Sequence, residues 1–322
     1  MENVRVSFVN TDGTAQDFTP FSFRFNRERY TPYTQCIGSV IGKAEISAIS
    51  YIELYYDDTL LHRGMADSVE KKYINGRYVT TFLSRSFTML LGQNEPKPGI
   101  ITNITLGSLI SQNTSIPNVQ WQATTESVNY IYVKEKSTIW DAICAYAYKA
   151  YENYPYIVNT NSVYVTAPET NKLFNYSNER LVTVGEKLTT SGILSTVLMC
   201  DTDGEYSYVQ DNASAEAYDI VRKKYYALDR QWLSSPEEGL DFKLAYSNRG
   251  ITAGVFRSVS FVRNRYYSLF EYYNGGRVEY KLFRSQTQGQ LGEECPVSEL
   301  YDGLPDAVDY GTDNYSKPCR KT

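Results

Sequence analysis

Chemistry that needs an imidazole has one place to happen in this chain, because His62 is its only histidine. A site built on several histidines is thereby excluded, and any histidine-dependent triad is tied to this position. His62 falls in Thr59-Leu60-Leu61-His62-Arg63-Gly64, a stretch read as a strand returning from a polar turn at Asp57-Asp58, so a half-exposed strand residue is expected. The sequence has no GxSxG, HExxH or GxGxxG. Gly38-Ser39-Val40-Ile41-Gly42-Lys43-Ala44 resembles a phosphate loop only superficially. It is one residue short between its glycines, and Ala44 stands where a magnesium-binding hydroxyl is needed. Asp201-Thr202-Asp203-Gly204-Glu205 spaces carboxylates as a calcium loop does. Its glycine comes too early and no glutamate closes the loop, so a turn between strands is expected. No pair of carboxylates is singled out for glycoside hydrolysis, and no cofactor or metal is expected.

What the composition does favour is contact. The 322 residues include 30 Tyr, 13 Phe and 3 Trp, and tyrosine joins a broad apolar face to a hydroxyl that stays wet. Tyr148 falls off the apolar stripe of its helix, which points it at another chain or at solvent. Tyr225-Tyr226, Tyr266-Tyr267 and Tyr272-Tyr273 put adjacent rings on opposite faces of strands, one inward and one outward. Tyr148, Tyr225, Tyr267 and Tyr272 are therefore the candidate protein-interface residues. With 32 basic against 37 acidic side chains, the net charge of −5 disfavours an electrostatic grip on nucleic acid or anionic membrane. Five cysteines without CxxC or regular spacing predict neither a disulfide framework nor a zinc knuckle. No apolar run is long enough to span a membrane, and the N-terminus lacks the plan of a signal peptide, so a chain made in a reducing cytoplasm is expected.

The elements that would position these residues are mostly strands. Val4, Val6 and Phe8 alternate, as do Phe21, Phe23 and Phe25, and Asn75-Gly76 between two apolar runs asks for a two-residue type I′ turn. The first ninety residues thus read as a strongly curved antiparallel sheet or barrel. A polar, proline-bearing stretch from Gln93 to Gly99 marks a boundary. Beyond it Thr105 caps a short helix, and a longer one runs from Ser137, as N-cap, to about Asn153, with a hairpin at 156–165. A short helix is expected at 214–217. Strands are then predicted at Leu240 to Tyr246, Gly254 to Arg263, Tyr266 to Tyr273 and Arg277 to Arg284. Residues 286–322 lose periodicity and carry seven acidic against three basic residues. They read as an arm that needs a neighbouring surface to lie on.

Taken in order, these signals resemble a known family. Tyr55-Tyr56-Asp57-Asp58-Thr59-Leu60-Leu61-His62-Arg63-Gly64 and the residues to Glu70 are similar to the strand, turn and strand of the late-control-D family of contractile phage tails. Leu83 to Pro96, followed by Asn103 to Ile110, resembles the piece with which hubs of that family leave their first barrel. Ser137-Thr138-Ile139-Trp140-Asp141-Ala142-Ile143 and Ile220-Val221-Arg222-Lys223-Lys224-Tyr225-Tyr226 match its helix start and its return. The likeness covers about residues 45 to 230 and does not extend past Gln286.

The resemblance implies an α+β, mostly β chain with two tube-like antiparallel β-barrel portions and an inserted small α+β domain. The boundaries are 1–97 for the first barrel portion, 98–210 for the insertion, 211–285 for the second portion and 286–322 for the C-terminal arm. It implies a baseplate hub of a phage tail or phage-tail-like bacteriocin, assembled in the bacterial host cytoplasm. The expected state is a homotrimer that meets the tail tube or a tube initiator on one side, the spike on the other, and further baseplate proteins. DNA would pass without specific binding. The other readings are a peptidoglycan-degrading tail enzyme, whose wall lysis would depend on single carboxylates, and a surface glycan-binding module, which would bind sugar saturably.

Overall fold

Alternating apolar residues give a strand one face to bury, and the strands so patterned form a single sheet in the computed structural model. The structure describes residues 4–27, 31–56, 59–158, 160–166, 180–187, 190–248, 254–260, 265–272, 277–284 and 295–296, with backbone alone for 26–27, 180–187 and all positions after 248. Strands β1 (Val4–Asn10), β2 (Ala15–Phe18), β3 (Pro20–Arg27), β4 (Thr34–Ile41) and β5 (Ile49–Tyr56) come first, then the long hairpin of β6 (Thr59–Ile74) and β7 (Arg77–Ser86). Its turn has φ of 49° at Asn75 and 77° at Gly76, the positive angles that a type I′ turn demands. A 3-10 turn, Phe87–Gly92, leads out of the sheet.

A second group of elements follows. It comprises β8 (Gly99–Ile104), α1 (Leu106–Asn113), β9 (Gln120–Trp121), β10 (Val128–Val133), α2 (Ile139–Tyr151), β11 (Tyr156–Val158) and β12 (Ser162–Tyr164). Thr105 caps α1 as expected. The N-cap of α2 is Thr138 rather than Ser137, because its hydroxyl accepts from the Asp141 amide while the Asp141 carboxylate reaches back to the Thr138 amide. Leu106, Leu109, Ile131, Ile139 and Ile143 are fully buried in the core shared by α1, α2 and β10.

The chain continues through β13 (Arg180–Lys187), β14 (Thr196–Met199), β15 (Tyr208–Asp211), α3 (Ala213–Glu216), β16 (Lys223–Tyr226), a 3-10 turn (Arg230–Trp232) and α4 (Pro236–Asn248). Residue 210 lies inside β15, which pairs with β14, so a small sheet crosses the boundary that the sequence suggests there. Residues 240–246, expected as a strand, are the body of α4. Leu240 and Leu244, one turn apart, seal Val197 and Met199 beneath them. Strands β17 (Gly254–Ser260), β18 (Arg265–Tyr272), β19 (Arg277–Arg284) and β20 (Cys295–Pro296) complete the described elements.

Strands from both ends of the chain meet in one antiparallel sheet, in the order β18-β19-β3-β4-β7-β6-β5-β1-β2. Bulges at Leu54/Tyr55 and Ala66/Ser68 sharpen its twist, and it curls into a half-barrel. The concave side holds Val6, Phe8, Phe25, Ile52, Leu54 and Phe82. Gly38 leaves room for the Phe82 ring, since a Cβ there would sit 2.7 Å from it. Among the described residues no helix is long and apolar enough to cross a membrane.

Candidate interaction surface

His62 is fully buried rather than half-exposed. The β5–β6 register sets it opposite Leu54 on the concave face. Its Nδ1 lies 2.8 Å from Thr34 Oγ1 and its Nε2 2.8 Å from Ser84 Oγ. Two hydroxyls can serve a neutral ring in either tautomer, whereas burial penalises the cation and lowers the pKa to about 3. The network continues from the Thr34 amide to Ser86 Oγ, from Ser86 to Thr88, and from the Thr88 amide to Asn161 Oδ1. Asn161 Nδ2 then donates to the Arg63 carbonyl at 3.0 Å. This buried polar seam bolts the loop before β12 onto the half-barrel. It has the character of a structural joint, in which both ring nitrogens are taken up by the hydroxyls of Thr34 and Ser84.

The convex face carries a ladder across four strands. Asp17, Ser7, Glu53 and Arg63 are successive cross-strand neighbours. Ser7 Oγ donates to Asp17 at 2.5 Å and Arg63 Nε to Glu53 at 2.6 Å. Arg5 stacks 4.0 Å over the Tyr55 ring, whose hydroxyl donates to Glu53. Glu53 is only 6% exposed, so its charge is matched within the sheet and this face is stiff.

The far end of the β6–β7 hairpin is different. Tyr73 and Tyr78 face each other in register with ring centroids 5.0 Å apart. Along β7, Tyr78 shares the parity of the buried Thr80 and Phe82, yet Tyr73 is 66% and Tyr78 38% exposed. The inner-face row thus runs past the end of the core, where no described residue buries it. Ile74, Ile37 and Ile41 are exposed as well, on the opposite face of the sheet. A bare inward row on a projecting hairpin is what a partner covers.

The interface residues expected from sequence fall in three settings. Tyr225 is exposed on β16, edge-on to Tyr206 at 5.0 Å, while Tyr226 turns inward against the α4 core, so the two rings do occupy opposite faces. Tyr148 points neither at open solvent nor away from its own chain. It is half-buried, edge-on to Trp232 at 5.9 Å and Phe242 at 5.0 Å. Tyr267 and Tyr272 lie on β18, and their side chains fall outside the described residues. Sequence reasoning missed Tyr73 and Tyr78, although the Asn-Gly turn beside them gave the register that brings them together. Asp201 shapes the β14–β15 turn, its carboxylate accepting from the Asp203 and Glu205 amides and from Ser207. Among the described residues no group of His, Cys, Asp and Glu is placed to hold a metal.

No protein-family model matches the sequence, and no curated protein matches it. Solved structures do. A tail protein from Neisseria meningitidis MC58 superposes with a TM-score of 0.59 at 14% identity, over 87% of this chain and 96% of that one. The 43 kDa tail protein of prophage MuSo2 from Shewanella oneidensis does so with a TM-score of 0.60 at 10% identity, over 88% and 98%. At these identities the likeness is one of fold, and it spans nearly the whole of both tail proteins.

Proposed function

We propose that the chain is a structural, non-enzymatic component of a contractile phage tail or related particle, and within it the baseplate hub joining a hexameric tube to a trimeric spike. The observation that carries this reading is the open, curled sheet drawing strands from both ends of the chain, in a fold shared with two tail proteins, one of them from a prophage. Residues 1–97 and 211–285 then supply two ring segments per chain around the insertion 98–210. Three chains offer six such segments, and a threefold object can seat a sixfold one. The β2 edge strand is four residues long, short enough to avoid random pairing yet available to a neighbour. The exposed Tyr73 and Tyr78 pair, Tyr225, and the β18 positions Tyr267 and Tyr272 are the contact residues of this reading. A mildly acidic chain lets DNA pass without holding it.

The test is to combine the purified chain with tube and spike proteins of the same particle and weigh the products by native mass spectrometry. A 3:3 complex with spike is expected. Tyr73→Asp with Tyr78→Asp should cut its yield at least tenfold at unchanged melting temperature. Persistent monomers that engage neither protein would refute the proposal.

A further inference from the structure

The small sheet of β15, β14 and β16 has two unlike faces. Its inner face is closed by α4, with Val197 and Met199 beneath Leu240 and Leu244 and Tyr226 packed beside them. Side chains alternate along a strand, so the residues between these point the other way. Leu198 is paired with Val209 on one flank and with Tyr225 on the other, and the three form an apolar row on the outer face. Val209 is 55% and Tyr225 56% exposed. Tyr206, itself exposed, lies edge-on to Tyr225 and widens the row.

A second row, two residues along, carries charge. Thr196 is paired with Asp211 on the β15 flank and with Lys223 on the β16 flank, and both charged residues are exposed. The Thr196 hydroxyl donates to the Asp211 carboxylate at 2.8 Å, which holds the acid at the outer face. Two strand spacings put acid and base roughly 10 Å apart, on opposite sides of β14. Rotating a copy of this face by half a turn about an axis along β14 exchanges the two flanks and keeps each row at its own height. Asp211 then meets Lys223 of the second copy, twice over, while Val209 meets Tyr225 and Leu198 meets Leu198. An axis across the strands would instead bring acidic flank against acidic flank.

We infer that the outer face of the β14–β15–β16 sheet docks on the same face of a second copy of this chain, with Asp211 of each copy paired to Lys223 of the other. The inference rests on this face alone and stands apart from the hub reading. Three strands of four residues cover only about 200 Å², far short of the roughly 800 Å² that each partner gives to a stable interface. The contact is therefore weak by itself and acts between copies held close together.

Sedimentation equilibrium of the full chain tests it, at concentrations up to about 1 mM, the range in which so small a contact shows. The mass should double with concentration, from one chain to two or from three to six. The starting mass reports on the hub reading and the doubling on this contact, so either can fail without the other. Asp211→Lys alone and Lys223→Asp alone each set like charges face to face and should weaken the doubling at least about tenfold. Both positions are exposed, so the melting temperature should stay close to that of the natural chain. Mixing the two variants rebuilds both pairs and should recover the association. A chain that does not double, doubling indifferent to both charge reversals, or single variants that stay apart when mixed would overturn the inference.

Discussion

Lowering the pH should weaken the fold through His62 in a way that can be counted. Its pKa is about 3 in the folded chain against an ordinary 6.5, so between these values the unfolded chain binds a proton that the folded chain refuses. The penalty vanishes well above pH 6.5 and grows as pH falls through that value toward 3. Each unit is worth about 1.4 kcal/mol, so at pH 4.5, two units below the unfolded value, the loss relative to pH 8 is about 2.7 kcal/mol. With a folded value of about 3 the buried ring is still almost wholly neutral at pH 4.5. Carboxylates also titrate in this window, but they cancel in the difference between the natural chain and His62→Gln, which bridges Thr34 and Ser84 without a titrating group. Urea unfolding of both proteins should show the stability difference shrinking by about 2–3 kcal/mol between pH 8 and 4.5. Because the chain has one histidine, the imidazole Cε1 proton is also a single NMR signal, and its shift should stay flat from pH 8 to 5. A midpoint near 6.5 together with a constant stability difference would mean a wet ring, and would refute the buried seam.

Gly64→Ala should cost about 2–4 kcal/mol in a thermal melt, because its Cβ would stand 2.3 Å from the Arg85 carbonyl oxygen and backbone cannot yield cheaply. Asn161→Ala removes the partners of the Thr88 amide and the Arg63 carbonyl; a loss of about 2–4 kcal/mol is expected, with faster hydrogen exchange at Thr88. Burial alone would raise the Asp229 pKa, but the Lys243 and Lys134 ammonium groups bring it below 3.8. Its contribution is therefore present above pH 3.8 and lost as pH falls through the lower folded value. The destabilisation in Asp229→Asn should accordingly fade on acidification into that range when unfolding is followed by Trp fluorescence.

Local rules made part of this fold legible. Asn75-Gly76 announced its turn, Thr105 its helix, and Phe23 and Phe25 on β3 are buried in alternation as read. Residues 240–246 misled because two helical stripes interleave there. Leu240 and Leu244 form one stripe against the small sheet, and Phe242 and Tyr246 form another against Tyr154. Two four-residue spacings offset by two mimic the period of a strand, and only Pro236 with Glu237 and Glu238 at the start signalled a helix. The burial of His62 was not readable from its neighbours, since its hydroxyl partners are 28 and 22 residues away. Tyr148 was likewise judged by its own helix, whereas α4 arrives from ninety residues downstream to cover it.

The pairing of β3 with β19 sets a timing problem for a ribosome. Some 250 residues separate Arg27 from Arg277, and at about 5–20 residues per second they take roughly ten to fifty seconds to translate. Throughout that interval the nascent chain presents β3 with one side unzipped, and two such chains on a polysome could zip to each other instead. Slower initiation, cooler growth or a bound chaperone should therefore raise the recovered yield more than any change to the finished molecule. A product cut short near residue 248 would keep that seam open for good.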